Sequence, residues 1–360
     1  MKASDDAEAG PCIGGSRQPL SMAPSRPLNA RPGLGLAFAL LLLLCAEAAL
    51  HTDSFLYRYR SVFAAGRAMD KIRFIELNVP SVLIVGDSRV DNAFDPGVIA
   101  GQWGFENRGR IFNFGVPGSD ARMLYGVLTR LDREQLLGPS RISTVVIGLD
   151  EGYLQPADAL GYEIFSDRRT MIEKGEYRDL LRSLLRLWGF ADNLKELREP
   201  AKLERFIAAS RGSVEPIGGG AGEFAGYRAG FGGLQDTSQI MLQEAGSKNP
   251  PDPVRIDYLE RSLELLRKRD VRVAVVFPPL LNRDVLYVSP DDPAASPYLS
   301  VAAELRAQSL PLIDLGAGAT RDPAEFVNAG HLNDRGAKRF SALLADRLAT
   351  VWPDLPRALQ

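Results

Sequence analysis

Few residues in this chain have side chains and surroundings suited to chemistry. Its 360 residues include two histidines, His51 and His331, so if an imidazole does general-base work in the body of the protein, His331 is the candidate. Ser88 stands in VLIVGDSRV (residues 82–90), directly after an apolar run of the kind that forms a buried strand. A serine just past a parallel strand lies at the carboxyl edge of the sheet, where open α/β proteins bind their ligands. Gly86 permits a tight exit from that strand, Asp87 can accept from nearby amides, and Arg89 follows. A serine hydroxyl paired with an imidazole spells nucleophilic acyl transfer. Taken singly these signals are weak. Gly-Asp-Ser also suits a turn that caps a helix, Arg89 more often forms a salt bridge than holds a substrate, and Asp87 reads as structural.

Three further segments bring polar residues to strand or helix ends. In FNFGVPGSDAR (112–122), Gly118 can bring its N–H close to a substrate oxygen because no side chain intervenes. VVIGLDEGY (145–153) sets Asp150 at the same edge. FVNAGHLNDRGAKRF (326–340) holds His331 in a loop, with Asn328 three residues ahead and Asn333 or Asp334 available to cap the next helix. Other chemistries are excluded. The two cysteines, Cys12 and Cys45, precede residue 50, so the remainder of the chain has no disulfide, thiolate metal site or cysteine nucleophile. Two histidines do not make a multi-histidine zinc site. A net charge of −2, with no basic stripe, argues against nucleic acid. The glycine-rich run IGGGAGEFAGYRAGFGG (217–233) comes after no strand and matches no phosphate loop; its Tyr227 and Arg228 read as parts of a solvated loop that could also touch a glycan.

The elements that must position these residues are legible as apolar runs and helical periods. Strands are expected at 81–86, 110–114, 144–148, 271–277 and, shorter, 311–315. Helical periods at 121–131, 254–268, 297–307 and 335–348 separate or succeed them. Strands alternating with helices predict an α/β domain with a central parallel sheet. Between the third and fourth strands, residues 153–253 form an insertion with helical patterns at 177–187 and 194–210, expected as a lid or cap or else as a poorly ordered loop.

The leader has its own logic. Residues 1–32, rich in Gly, Ser, Pro and Ala, read as disordered. LGLAFALLLLLCA (34–46), continuing to Leu50, suits a signal-peptide core or a single signal-anchor helix in a membrane. Ala46-Glu47-Ala48 fits a cleavage pattern. Against cleavage stands SFLYRYRSVFAAGRAMDKIRFIEL (54–77), expected as one continuous amphipathic helix, with 51–78 connecting membrane to domain. Arginines lie on both sides of the apolar segment, so the positive-inside rule gives no orientation.

The ordered set of blocks resembles the SGNH-hydrolase superfamily, whose blocks begin with Gly-Asp-Ser, Gly, Gly-x-Asn-Asp and Asp-x-x-His. The Gly-Asp-Ser-Arg opening and His-Leu-Asn-x-x-Gly-Ala close are most similar to its membrane-associated branch linked to cell-envelope acylation, which includes alginate O-acetylation proteins and DltD-like proteins. The resemblance runs from about residue 79 to 350 and implies a three-layer α/β/α sandwich over 79–352. It implies Ser88 as nucleophile, His331 as base, Asn328 as the residue that orients it, and an oxyanion hole drawn from Ser88, Gly118 and Asp150. It further implies a serine esterase or O-acyltransferase on the outer face of a cytoplasmic membrane, acting on an envelope or exported polysaccharide, with a multi-span acyltransferase as partner and no metal or organic cofactor. Two positions depart from the family. Asn328 replaces the triad aspartate, and Asp150 replaces an asparagine donor, a role that a carboxyl fills only when protonated. Both departures also fit a catalytically silent domain that binds a glycan or an assembly partner.

Overall fold

The computed structural model describes residues 32–156, 160–212, 225–230, 249–281, 298–315 and 322–360. The disordered-leader expectation and most of the glycine-rich run lie outside these residues. The chain divides into two units, Met1–Leu44 and Cys45–Gln360. Helix α1 (Pro32–Leu50) is long and apolar enough to cross a membrane, with a mean hydropathy of 2.2 over Gly33–Leu50.

The stretch expected as one amphipathic helix is two. Helix α2 (Asp53–Arg58) ends at Tyr59, and α3 (Ala64–Asn78) starts after a turn. The two cross closely at Gly66, where a Cβ would lie 2.3 Å from the Leu56 carbonyl oxygen. Burial explains the break. Leu56, Phe63, Ala65, Ile72 and Ile75 all face the core, so this stretch is an integral part of the domain. An unbroken helix could not turn both halves of its apolar face inward at that crossing.

The centre is a five-stranded parallel sheet of β1 (Val82–Gly86), β2 (Ile111–Gly115), β3 (Thr144–Gly148), β4 (Arg272–Phe277) and β5 (Leu312–Asp314), in the order β2-β1-β3-β4-β5. Strands β1, β2 and β3 are buried along their whole length, which requires cover on both faces and explains why they read as unbroken apolar runs. Helix α4 (Ser88–Ala93) comes after β1, then α5 (Pro96–Gln102), with α6 (Ala121–Arg133) after β2. The insertion supplies α7 (Arg168–Glu173), α8 (Tyr177–Leu184), α9 (Arg186–Gly189), α10 (Ala191–Lys195) and α11 (Pro200–Ser210). Helices α12 (Pro253–Lys268), α13 (Leu299–Ala307), α14 (Asp334–Val351) and α15 (Leu355–Leu359) come after it. Helix α12 packs on α6, and α14 on α5.

The insertion's described helices brace the flank of the domain. Glu176 accepts from Arg255 Nη1 and Tyr258 Oη, each at 2.6 Å. Phe190 meets Phe63 edge-on with ring centroids 5.1 Å apart, and Phe206 stacks on Tyr59 at 4.6 Å. Among the described residues of the insertion, 225–230 lies along β2 and α4: the Ala225 carbonyl accepts from Asn113 N–H and Arg228 N–H donates to the Asp91 carbonyl.

Candidate functional site

The last residue of each of β1, β2 and β3 is a glycine: Gly86, Gly115 and Gly148. Together they make a ledge without side chains on which α4 rests. A Cβ on Gly86 would lie 2.3 Å from Val90 Cγ2, one on Gly148 2.1 Å from the same atom, and one on Gly115 2.2 Å from the Asp91 backbone nitrogen. No larger residue fits beneath a helix this close. Asn113, buried in β2, pins the far end of α4 by donating to the Val90 and Phe94 carbonyls at 2.8 and 2.7 Å. At the near end Asp87 caps the helix, its Oδ1 accepting from Arg89 N–H at 2.8 Å. Ser88 is thereby fixed as the first helical residue, just beyond the sheet edge.

His331 reaches Ser88 from the other end of the chain. Strands β6 (Phe326–Asn328) and β7 (His331–Leu332) form a short antiparallel pair that sequence periodicity did not reveal. The pair is anchored to the segment after β4 by Leu281 N–H, which donates to the Ala329 carbonyl at 3.0 Å. Asn333 caps α14 through Gly336 N–H, and Asp334 accepts from Tyr227 Oη at 2.8 Å. Tyr227 is therefore a buried strut, where a solvated loop was expected. The hairpin sets His331 Nε2 2.8 Å from Ser88 Oγ. On the other side of the ring Nδ1 donates to Asn328 Oδ1 at 3.0 Å, and Gly330 N–H donates to the same oxygen at 3.0 Å. This second bond fixes which atom of the amide faces the imidazole. With Nδ1 carrying the proton, Nε2 is free to accept from the serine hydroxyl.

The electrostatics keep the imidazole neutral. Burial lowers the His331 pKa below its usual value, the Arg89 and Arg228 guanidinium groups push the same way, and Asp150 and Asp91 oppose them. Asp322, a carboxylate close enough in sequence to stand in for Asn328 beside His331, instead accepts from Ala324 N–H and pairs with Arg335 at 3.5 Å.

Asp150 departs from its expected role. Its Oδ1 accepts from Tyr153 N–H at 3.0 Å and its Oδ2 faces Arg89 Nη1 at 3.1 Å. Both oxygens face donors, so the side chain acts as an acceptor here. Arg89 also reaches Glu151 at 3.4 Å, and its guanidinium lies where a Cβ on Gly330 would be 3.5 Å from Nε. It thus ties the start of α4 to the end of β3 and lies beside the β6–β7 turn. Burial and the neighbouring Asp150 carboxyl hold the Asp87 pKa well above the ordinary carboxylate range. Gly118 adopts φ +74 in the loop after β2. That loop is bound to Gly86, whose carbonyl accepts from Val116 N–H at 2.9 Å and Ser119 Oγ at 3.1 Å.

Sequence reading passed over Asn113, Glu151 and the Lys71–Asp91 pair, in which Lys71 Nζ donates to Asp91 Oδ1 at 2.7 Å and to the Gly115 carbonyl at 2.6 Å. For Asn113 a signal existed, since a polar side chain inside an apolar strand persists only where it is fully bonded. Among the described residues no group of three His, Cys, Asp or Glu side chains is placed to hold a metal ion. No known family model matches the chain, and no curated protein matches it.

Proposed function

We propose that the protein is a serine esterase or O-acyltransferase of the SGNH type, built as a three-layer α/β/α sandwich and held to a membrane by α1. One observation carries this reading: Ser88 Oγ, His331 Nε2, His331 Nδ1 and Asn328 Oδ1 form an unbroken hydrogen-bonded line. Such a line lets the hydroxyl lose its proton to Nε2 as oxygen attacks an acyl carbon. The oxyanion falls to the Ser88 and Gly118 N–H groups, since Asp150 is engaged with Arg89. The protonated His331 then returns its proton to the leaving alkoxide, and the acyl-Ser88 ester passes its acyl group to water or to a sugar hydroxyl. The site lies at the carboxyl end of β1, and the chain order reverses across the sheet between β1 and β3, the switch point at which open α/β sheets bind ligands. By resemblance the acceptor or substrate is an envelope or exported polysaccharide outside the cytoplasmic membrane, with a multi-span acyltransferase as donor partner.

A silent glycan-binding domain is the second reading, favoured by the neutral amide at Asn328. A fluorophosphonate probe separates them. Labelling of the parent that Ser88→Ala abolishes without a change in melting temperature supports the enzyme. An unlabelled, folded parent with no turnover of small acyl esters supports the silent domain.

A further inference from the structure

Helix α8 is turned inside out. Its polar residues Arg182 and Ser183 are buried, with Arg182 Nε 3.0 Å from Glu163 and Nη2 donating to the Gly189 carbonyl. Its large apolar residues Tyr177, Leu181 and Leu184 are 60, 47 and 39% exposed. Their spacing of four and three puts them on one helical face. Leu185 and Trp188 carry the apolar surface onward into α9 at 52 and 43% exposure. A contiguous apolar face of this kind on a folded domain has a partner.

The position of the face identifies that partner. The end of α1 is bonded to the same turn. Glu47 accepts from Arg186 N–H at 2.6 Å and from Leu187 N–H at 2.8 Å, Arg186 Nη1 donates to the Leu50 carbonyl at 2.7 Å, and His51 Nε2 lies 3.2 Å from the Leu184 carbonyl. A helix of 19 residues is about 28 Å long. That matches a hydrocarbon core of about 30 Å and sets Leu50 at the boundary between acyl chains and headgroups. Trp and Tyr favour this level, and the exposed Arg178 suits anionic headgroups.

We propose that the exposed face of α8 and α9 is a membrane-interface surface that seats in the headgroup layer around the exit of α1. The proposal rests on the reading of α1 as a membrane span. It makes the insertion a platform that fixes the height and tilt of the domain over the lipid.

Nitroxide labelling of the full chain in vesicles of phosphatidylethanolamine and phosphatidylglycerol tests it, with both native cysteines replaced by serine. Labels go in through Leu184→Cys and Trp188→Cys, with Leu41→Cys in the apolar helix and Lys268→Cys on an exposed helix end as references. Unchanged thermal melts establish that each variant is folded. The proposal expects the ratio of oxygen to nickel-chelate accessibility at 184 and 188 to stand several-fold above that at 268. Ratios at 184 and 188 equal to that at 268, with 41 in lipid, overturn the surface and leave the span intact. A water-accessible label at 41 overturns the span and the surface together. Labels at 184 and 188 shielded from both reagents indicate contact with a second copy of the chain and overturn the lipid assignment.

Discussion

Asn328 accepts the His331 Nδ1 proton through an amide oxygen that Gly330 N–H holds in place. An amide orients the ring but offers no charge to the imidazolium that forms during attack. In a serine protease triad the change from carboxylate to amide costs about 10⁴-fold. Asn328→Asp keeps both hydrogen bonds and adds the charge, so acyl-ester turnover should rise by about 10² or more. The same charge raises the His331 pKa, so the acidic limb of the pH–rate profile should move to higher pH. A measured profile checks both, and an unchanged rate would mean that Asp150 or Asp91 already serves the imidazole through space. Asp87 makes a separate prediction. Its folded pKa stands well above the ordinary 3.8, so the unfolded chain loses this proton at a lower pH than the folded one. The stability it contributes is full below that value and is lost as pH rises through the raised one. Asp87→Asn retains the acceptor for Arg89 N–H and offers an N–H to Asp150. Its melting temperature should exceed the parent's at pH 7, and thermal melts should converge toward pH 3. The meeting of Ser88, His331 and Asn328 was legible in the sequence because each lies in a short motif. The pairing of Asp150 with Arg89 was not, because Arg89 lies in the first turn of α4, far away in sequence, and no local pattern records it.

Helix α4 owes its place to what the strands beneath it lack. Val90 Cγ2 fills the space left by the missing side chains of Gly86 and Gly148, so the helix that carries Ser88 and the ledge are one packing unit. Gly148→Ala should destabilise the domain by about 1–3 kcal/mol through overpacking and lower turnover by shifting Ser88. Val90→Ala in the same chain should restore part of both losses. A double-mutant cycle by thermal melts should show coupling of about 0.5–3 kcal/mol, whereas strict additivity would mean that α4 does not rest on Gly148. The strands were legible as apolar runs because both faces of the sheet are covered. The division of 54–77 into α2 and α3 was not, since the apolar period continues across the turn and the break depends on Gly66 passing close to Leu56. The β6–β7 pair escaped notice because two short strands show no alternation to read.

At the level of the whole chain, the apolar helix and the catalytic line are separate inferences, and they meet in one prediction. With α1 as an uncleaved anchor and the domain outside, a reporter fused after Gln360 should be active only in the exported compartment; activity in the cytoplasm would remove the outward assignment. Compartment was the least legible property, because Arg58, Arg60 and Arg67 succeed the span as Arg17, Arg26 and Arg31 precede it. The catalytic line has one more property, visible in the separation of its ends. Ser88 and His331 lie 243 residues apart. At a synthesis rate of about 5–20 residues per second, the histidine leaves the ribosome about 10–50 s after the serine. During that interval the chain holds a hydroxyl no more reactive than that of any other serine. If the proposed acyl chemistry holds, it begins when the last hairpin docks, so a truncated or stalled product should be inert toward every ester it meets.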